Sequence, residues 1–397
     1  MRKMTWESWL ILAVGVAVLF FGVGNFWSAT WLSKWALILT LAAAGFSGWV
    51  ARRTSWFYFP GLLYCLVSML AIAAWPYQPF LRSYDIITLM ALQKNAFSGV
   101  LEVVACTALF ALITQSMKRG ILVFLSLVWA VGTFALVTLP HPALNGLWFG
   151  NPSMAAGLLA CLLPIAWGFT AGTICRNNFR AKMAFMCGSW LLTLLMIWRT
   201  EASVPWGVLG VTTAAVFVAR TPRKAWLLSG LGTLLLAGLM LLVSHKLLGG
   251  ALWGDSGRFM IWRMAIDCWD KSGSTLLGMG FSTSQILLPI QQVTTNHFGG
   301  EYFMWLHNDW LQILTEGGIV GWLCIAPAVA RLASVAWPRP ALFGALMGFC
   351  TLGLFNYPLR MPIHCLCIVL VCGLAEALVR KPSRETLSSA SRLTSAK

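Results

Sequence analysis

Twelve stretches of about twenty mostly apolar residues recur along this chain, and nothing else limits its fold as strongly. They run over 8–26, 31–50, 55–75, 96–116, 120–139, 152–174, 183–198, 203–219, 225–244, 308–330, 340–357 and 362–379. A helix needs about 20 such residues to cross the hydrocarbon layer of a bilayer. Inside that layer every backbone N–H and C=O must find a partner within the protein, so runs of this length predict helices. Of the 397 residues 59% are hydrophobic and only 10% are charged, a balance unlike that of a soluble fold. The expectation is an all-α polytopic membrane protein with about 12 transmembrane helices and one long outer loop.

The net charge of +16 invites a nucleic-acid partner, but its distribution argues otherwise. If the N-terminus is cytoplasmic, 19 of the 28 basic residues fall on the cytoplasmic side. They include Arg2, Lys3, Arg52, Arg53, Lys118, Arg119, Arg176, Arg180, Lys182, Arg220, Arg223, Lys224, Arg331 and Arg339, and five between Arg380 and Lys397. The other nine sit on the outer side, although the outer loops are longer. Basic residues in short cytoplasmic loops set orientation. Both termini are therefore expected inside, the basicity is topogenic, and no nucleic-acid partner is implied. Met1-Arg2-Lys3 before an apolar run resembles a signal peptide, but the run is long and more spans follow, so it reads as a retained first helix.

Residues 1–244 form a nine-span region, 245–307 an extracytoplasmic loop, 308–380 a three-span region, and 381–397 a Ser/Thr/Arg-rich tail expected to be disordered. Of the 11 cysteines only Cys268 lies in the long loop, and one cysteine cannot staple its own loop. His364, Cys365 and Cys367 open the last span and read as buried small residues, not as metal ligands. Neither metal nor cofactor is expected. The absence of an internal repeat argues against a secondary transporter, since many transporter folds are built from repeated halves. A transporter would also want charges deep in several spans. Glu102 is the clearest candidate, and Glu376 lies near a cytoplasmic end.

The long loop concentrates the chemistry. In Gly254-Asp255-Ser256-Gly257-Arg258, Asp255 or Ser256 offers an N-cap for a helix running to about Trp269. Arg263 and Asp267 are spaced for a local ion pair. Arg258 has Trp262 one turn on, and is the guanidinium more available to an outside anion. A guanidinium presents a planar fork suited to phosphate. The alternative is a surface arginine on an amphipathic interfacial helix. Gly278-Met279-Gly280 reads as a tight turn joining two loop elements, with a phosphate cradle as the other reading.

His307 opens the tenth span, followed by Asn308, Gln312 and Glu316 at helical spacing. Polar groups inside a membrane helix usually face a site or a water-filled cavity. The positive end of the helix disfavours imidazolium, so a neutral His307 able to accept a proton is expected. Asn308 or Asp309 can instead be an N-cap, Trp310 an interfacial anchor, and Asn308 and Gln312 interhelical glue. Gly317, Gly318 and Gly321 would admit another helix closely.

These residues carry a resemblance. His307-Asn308-Asp309-x-Leu311-Gln312, with Glu316-Gly317 and Gly321, resembles the signature of the O-antigen ligase and O-antigen polymerase superfamily. Gly257-Arg258 with Trp262, and Gly278-Met279-Gly280-Phe281, are similar to its loop segment. Asn151-Pro152 with Ala155, Ala156 and Leu163-Pro164 resembles its sixth span. Phe355-Asn356-Tyr357-Pro358 with Pro362 resembles its closing stretch.

The resemblance implies a fold similar to the C-type glycosyltransferases. It implies transfer of a glycan from undecaprenyl diphosphate to a lipid A-core hydroxyl, on the periplasmic side of a bacterial inner membrane. The family's ligases are thought to need neither metal nor nucleotide. By position, Arg258 matches the arginine assigned to the pyrophosphate and His307 the histidine assigned to the acceptor hydroxyl. The family's further arginine falls where this chain has Val204, so Arg199 becomes the expected substitute. Asn308, Gln312 and Arg263 complete the expected substrate-binding set. A polymerase acting on a growing glycan, or a transferase acting on a protein, would share Arg258 and His307 and differ in acceptor.

Overall fold

The computed structural model describes residues 118–138, 152–173, 178–221, 258–280, 283–295 and 305–379. The expected spans over 8–26, 31–50, 55–75, 96–116 and 225–244 lie outside the described residues, as do residues 245–257 and the tail from 381. Among the described residues the structure is helical, with no strand. Four helices are α1 (Lys118–Thr138), α2 (Pro152–Thr173), α3 (Phe179–Arg199) and α4 (Val204–Arg220). Next come α5 (Arg258–Lys271), α6 (Ser284–Thr295), α7 (Asp309–Ala336), α8 (Pro340–Phe355) and α9 (Pro362–Val379). A 3-10 turn, Pro358–Arg360, joins the last two.

Helices α1, α2, α3 and α7 are long and apolar enough to cross a membrane, while α4, α8 and α9 are shorter apolar helices. This is the architecture of a membrane-embedded helical protein. The helix α6 was not foreseen.

Helix α2 is the centre of the bundle, packed by α1, α3, α4 and α8. Its residues from Met154 to Trp167 are buried without a break, as expected of a helix that is apolar all round. Helix α8 lies antiparallel to it. Gly157 faces Leu352, Gly348 faces Cys161, Gly344 faces Pro164 and Gly168 faces Ala341. Gly344 and Gly348 also meet Val216 and Thr212, so α8 is antiparallel to α4 as well. Small residues let membrane helices approach where lipid offers no hydrophobic contrast. Trp167 Nε1 donates to Ser189 Oγ at 2.6 Å, and Trp190 Nε1 to Thr213 Oγ1 at 3.4 Å, linking α3 to α2 and α4.

These antiparallel pairings gather the start of α2, the end of α3, the starts of α4, α7 and α9, and the end of α8 at one end of the bundle. His307 and Arg199 both stand at this end.

Candidate functional site

Helix α7 is not continuous. In an unbroken helix the N–H groups of Ile319 and Val320 would donate to the carbonyls of Thr315 and Glu316. Gly318 instead takes φ 65°, ψ −170°, a region essentially restricted to glycine, and the ladder opens. The segment 275–280 fills the gap. Met279 and Gly280 donate to the carbonyls of Thr315 (3.0 Å) and Glu316 (2.8 Å), while Ile319 and Val320 donate to those of Thr275 and Leu276 (both 3.1 Å). Four bonds replace two, and the backbone at the break is satisfied inside the protein, as the low-dielectric setting requires. Gly278, at φ 76°, lies so close that a Cβ would strike the Glu316 carbonyl. The Gly-x-Gly segment joins α5 to α6 as a tight turn, with Gly278 and Gly280 both at positive φ, and it is also a wedge in α7. A loop, not another helix, takes the room at Gly318.

The wedge is continuous with α5, which buries Ile261, Met264, Ala265 and Cys268 on one face. That face packs with Leu288 of α6 and with Leu306, and Leu311 lies against the same cluster. Trp262 Nε1 donates to the Leu306 carbonyl at 2.7 Å. On its other side His307 meets Asn308, the N-cap of α7, whose Oδ1 accepts from Leu311 N at 2.9 Å. Trp310 Nε1 donates to the Cys350 carbonyl at 3.0 Å, and Asp309 Oδ2 accepts from Leu359 N at 2.8 Å. Trp310 thereby ties α7 to α8. Held from both sides, His307 adopts φ 52°, a left-handed conformation uncommon outside glycine. Such strain persists where surrounding contacts over-determine it, and it concentrates at functional sites.

The His307 and Tyr357 rings meet in a T-shaped contact, centroids 4.9 Å apart at 80°. Trp305 stacks on the same tyrosine at 5.4 Å and 12°. Burial, and then the positive charge of Arg258, lower the His307 pKa to about 4. Burial also lowers the pKa of Arg258 and raises that of the Tyr357 hydroxyl. An imidazole neutral at physiological pH thus stands within electrostatic reach of a half-buried guanidinium. Arg258 is the first residue of α5, and α5 packs on α6 and α7.

The other expected residues fall elsewhere. Arg263 is exposed off the buried face of α5, and its expected ion pair with the exposed Asp267 is not formed among the described residues. Arg199 ends α3, whose neighbours are α1, α2 and α4, so it shares the end of the bundle but belongs to another wall. Asn308 spends its side-chain oxygen on the cap. Gln312 turns inward, its Nε2 donating to Ser284 Oγ at 3.0 Å and to Glu316 Oε1 at 2.9 Å. Its Nε2 thus braces the site, while its Oε1 is buried without a hydrogen-bond partner among the described residues.

Glu316 also accepts from Ser284 Oγ and forms a buried ion pair with Arg360. Sequence reasoning missed Arg360, although a lone acid in one span and a lone arginine beside the next are natural partners in a membrane interior. Ser284 carried no signal. His364 Nε2 donates to the Met154 carbonyl at 2.9 Å, tying α9 to α2. No protein-family model matches the chain, and no curated protein matches it either.

Proposed function

We propose that the chain is a polytopic membrane glycosyltransferase of the O-antigen ligase type, with twelve spans and its site on the periplasmic side of a bacterial inner membrane. The donor is a glycan on undecaprenyl diphosphate, and the acceptor is a hydroxyl of lipid A-core. One observation carries this reading: Arg258 lies close enough to His307 to depress its basicity, at the end of the bundle where the loop docks. The resemblance in the signature around His307 narrows the substrate class.

The chemistry is a displacement at the anomeric carbon. His307, held neutral, accepts the proton of the attacking hydroxyl. A new carbon–oxygen bond forms as the bond to the diphosphate breaks, inverting the centre. The leaving diphosphate keeps the electron pair, and Arg258 meets its negative charge with a permanently charged fork. Arg199, at the same end of the bundle, is proposed as the second guanidinium.

The test uses purified protein in lipid nanodiscs with an undecaprenyl-diphosphate glycan and a lipid A-core acceptor. Release of undecaprenyl diphosphate together with extended acceptor is expected. Hydrolysis or transport of the glycan without extension of any acceptor would refute the transferase reading. Extension of the glycan itself, or of a protein, would move the assignment to the polymerase or the protein transferase.

A further inference from the structure

Glu316 is bound through both its main chain and its side chain, and each bond reaches a different part of the site. Its carbonyl accepts from Gly280 of the wedge at 2.8 Å. Its carboxylate accepts from Ser284, where α6 begins, from Gln312, and from Arg360. Arg360 closes the turn between α8 and α9, and its N–H donates to the Tyr357 carbonyl at 3.0 Å. Tyr357 is the ring against which His307 rests. The wedge follows directly from α5, which begins with Arg258. One carboxylate thus joins the element carrying the guanidinium to the element backing the imidazole.

We propose that Glu316 and Arg360 are positioning residues for the transfer reaction, a buried ionic joint that fixes the placement of Arg258 relative to His307. The proposal rests on the transferase reading given above. Stability alone is a weak reason for such a pair, because a buried ion pair is often no more stabilising than apolar side chains of similar volume. The wedge is already held in α7 by four backbone bonds. Asp309 ties the start of α7 to the turn carrying Tyr357 through Leu359, and the ion pair adds a second tie to that turn from the residue of α7 that also receives the wedge. Reacting groups displaced by about 1 Å lose on the order of 10²-fold in rate, so a joint of this kind has catalytic consequence.

The decisive variant is the paired Glu316→Leu/Arg360→Met, which removes both charges together and leaves neither buried alone. It is expected to insert and melt near the native protein while its kcat for transfer falls ~10²-fold. A second readout needs no transfer: the pH dependence of His307 modification by diethyl pyrocarbonate, followed by mass spectrometry. Among the described residues, the groups near His307 include Arg258 from α5, Tyr357 from the turn, and Asp309 at the start of α7. The native midpoint near 4 should move up as the guanidinium shifts away. A native-like midpoint with native turnover overturns the proposal. If the paired variant does not insert, Glu316→Asp decides, since it keeps the charge and shortens the reach. An upward shift supports the joint, and an unmoved midpoint overturns it. A shifted midpoint in a protein that never transfers glycan would refute the transferase reading and leave the joint standing.

Discussion

The α2–α8 interface and the α7 wedge both bring chain segments into close approach through glycine, yet they do so by opposite means. At α2–α8 the helices stay whole, and Gly157, Gly344 and Gly348 admit neighbouring side chains. At the wedge the helix opens, and Gly278 and Gly318 admit another backbone. The first is side-chain packing, tolerant of a methyl group when a neighbour can shift. The second is a hydrogen-bonded splice in which nothing can give way.

The sharpest way to break this contrast is Gly318→Ala. The alanine would hold a backbone region reserved for glycine, and its Cβ would strike the Leu276 carbonyl. Strain of about 1–3 kcal/mol from the conformation alone is expected, with the collision added. Thermal unfolding in detergent should show the largest loss of any single substitution here, with transfer abolished. A tolerant Gly318→Ala would dissolve the distinction.

Gly348→Ala on α8 should cost less, about 1–3 kcal/mol, because its Cβ crowds the Thr212 hydroxyl and Cys161 but no backbone conformation reserved for glycine is lost. Transfer by the folded fraction should remain near native. At the far end of the scale, Gly188→Ala on α3 meets nothing within 4 Å. It should stabilise by up to about 1 kcal/mol through helix propensity. The same unfolding series checks all three.

The hydropathy of the chain foretold the first kind of contact and was blind to the second. Each expected span within the described residues is a helix, because a twenty-residue apolar run in lipid has no other way to satisfy its backbone. The hydropathy of 308–330 gave no sign that α7 breaks at Gly318, since the break is made by bonds to residues about forty positions earlier. The site was legible where chemistry is local, as with His307 at a helix start and Arg258 at the start of a loop helix. It was not legible where partners come from separate elements. Nothing in the sequence tied Gln312 to Ser284, and Arg360 stood unnoticed in a proline-flanked turn.

The acidity of the site gives a smaller, graded effect. His307 is held near 4 by burial first and by Arg258 second. Its base form therefore prevails above about pH 5, and transfer should stay level from there to about pH 8, falling below. Between about 4 and 6.5 the unfolded chain binds more protons at this residue than the folded one. Its contribution to stability therefore rises with pH across that window. A pH–rate profile with its acid limb near 6.5 would show His307 to be ordinary and the nearby guanidinium irrelevant.

The central claim is that Arg258 holds the donor's diphosphate and His307 takes the acceptor's proton. Donor binding and product formation measured side by side in purified His307→Ala and Arg258→Ala test it most directly. His307→Ala should insert, bind the undecaprenyl-diphosphate glycan as the native protein does, and lose ~10²–10⁴-fold in transfer. Arg258→Ala should lose donor binding and transfer together. Donor binding lost equally in both variants, or turnover surviving in His307→Ala, would contradict the division of labour between them.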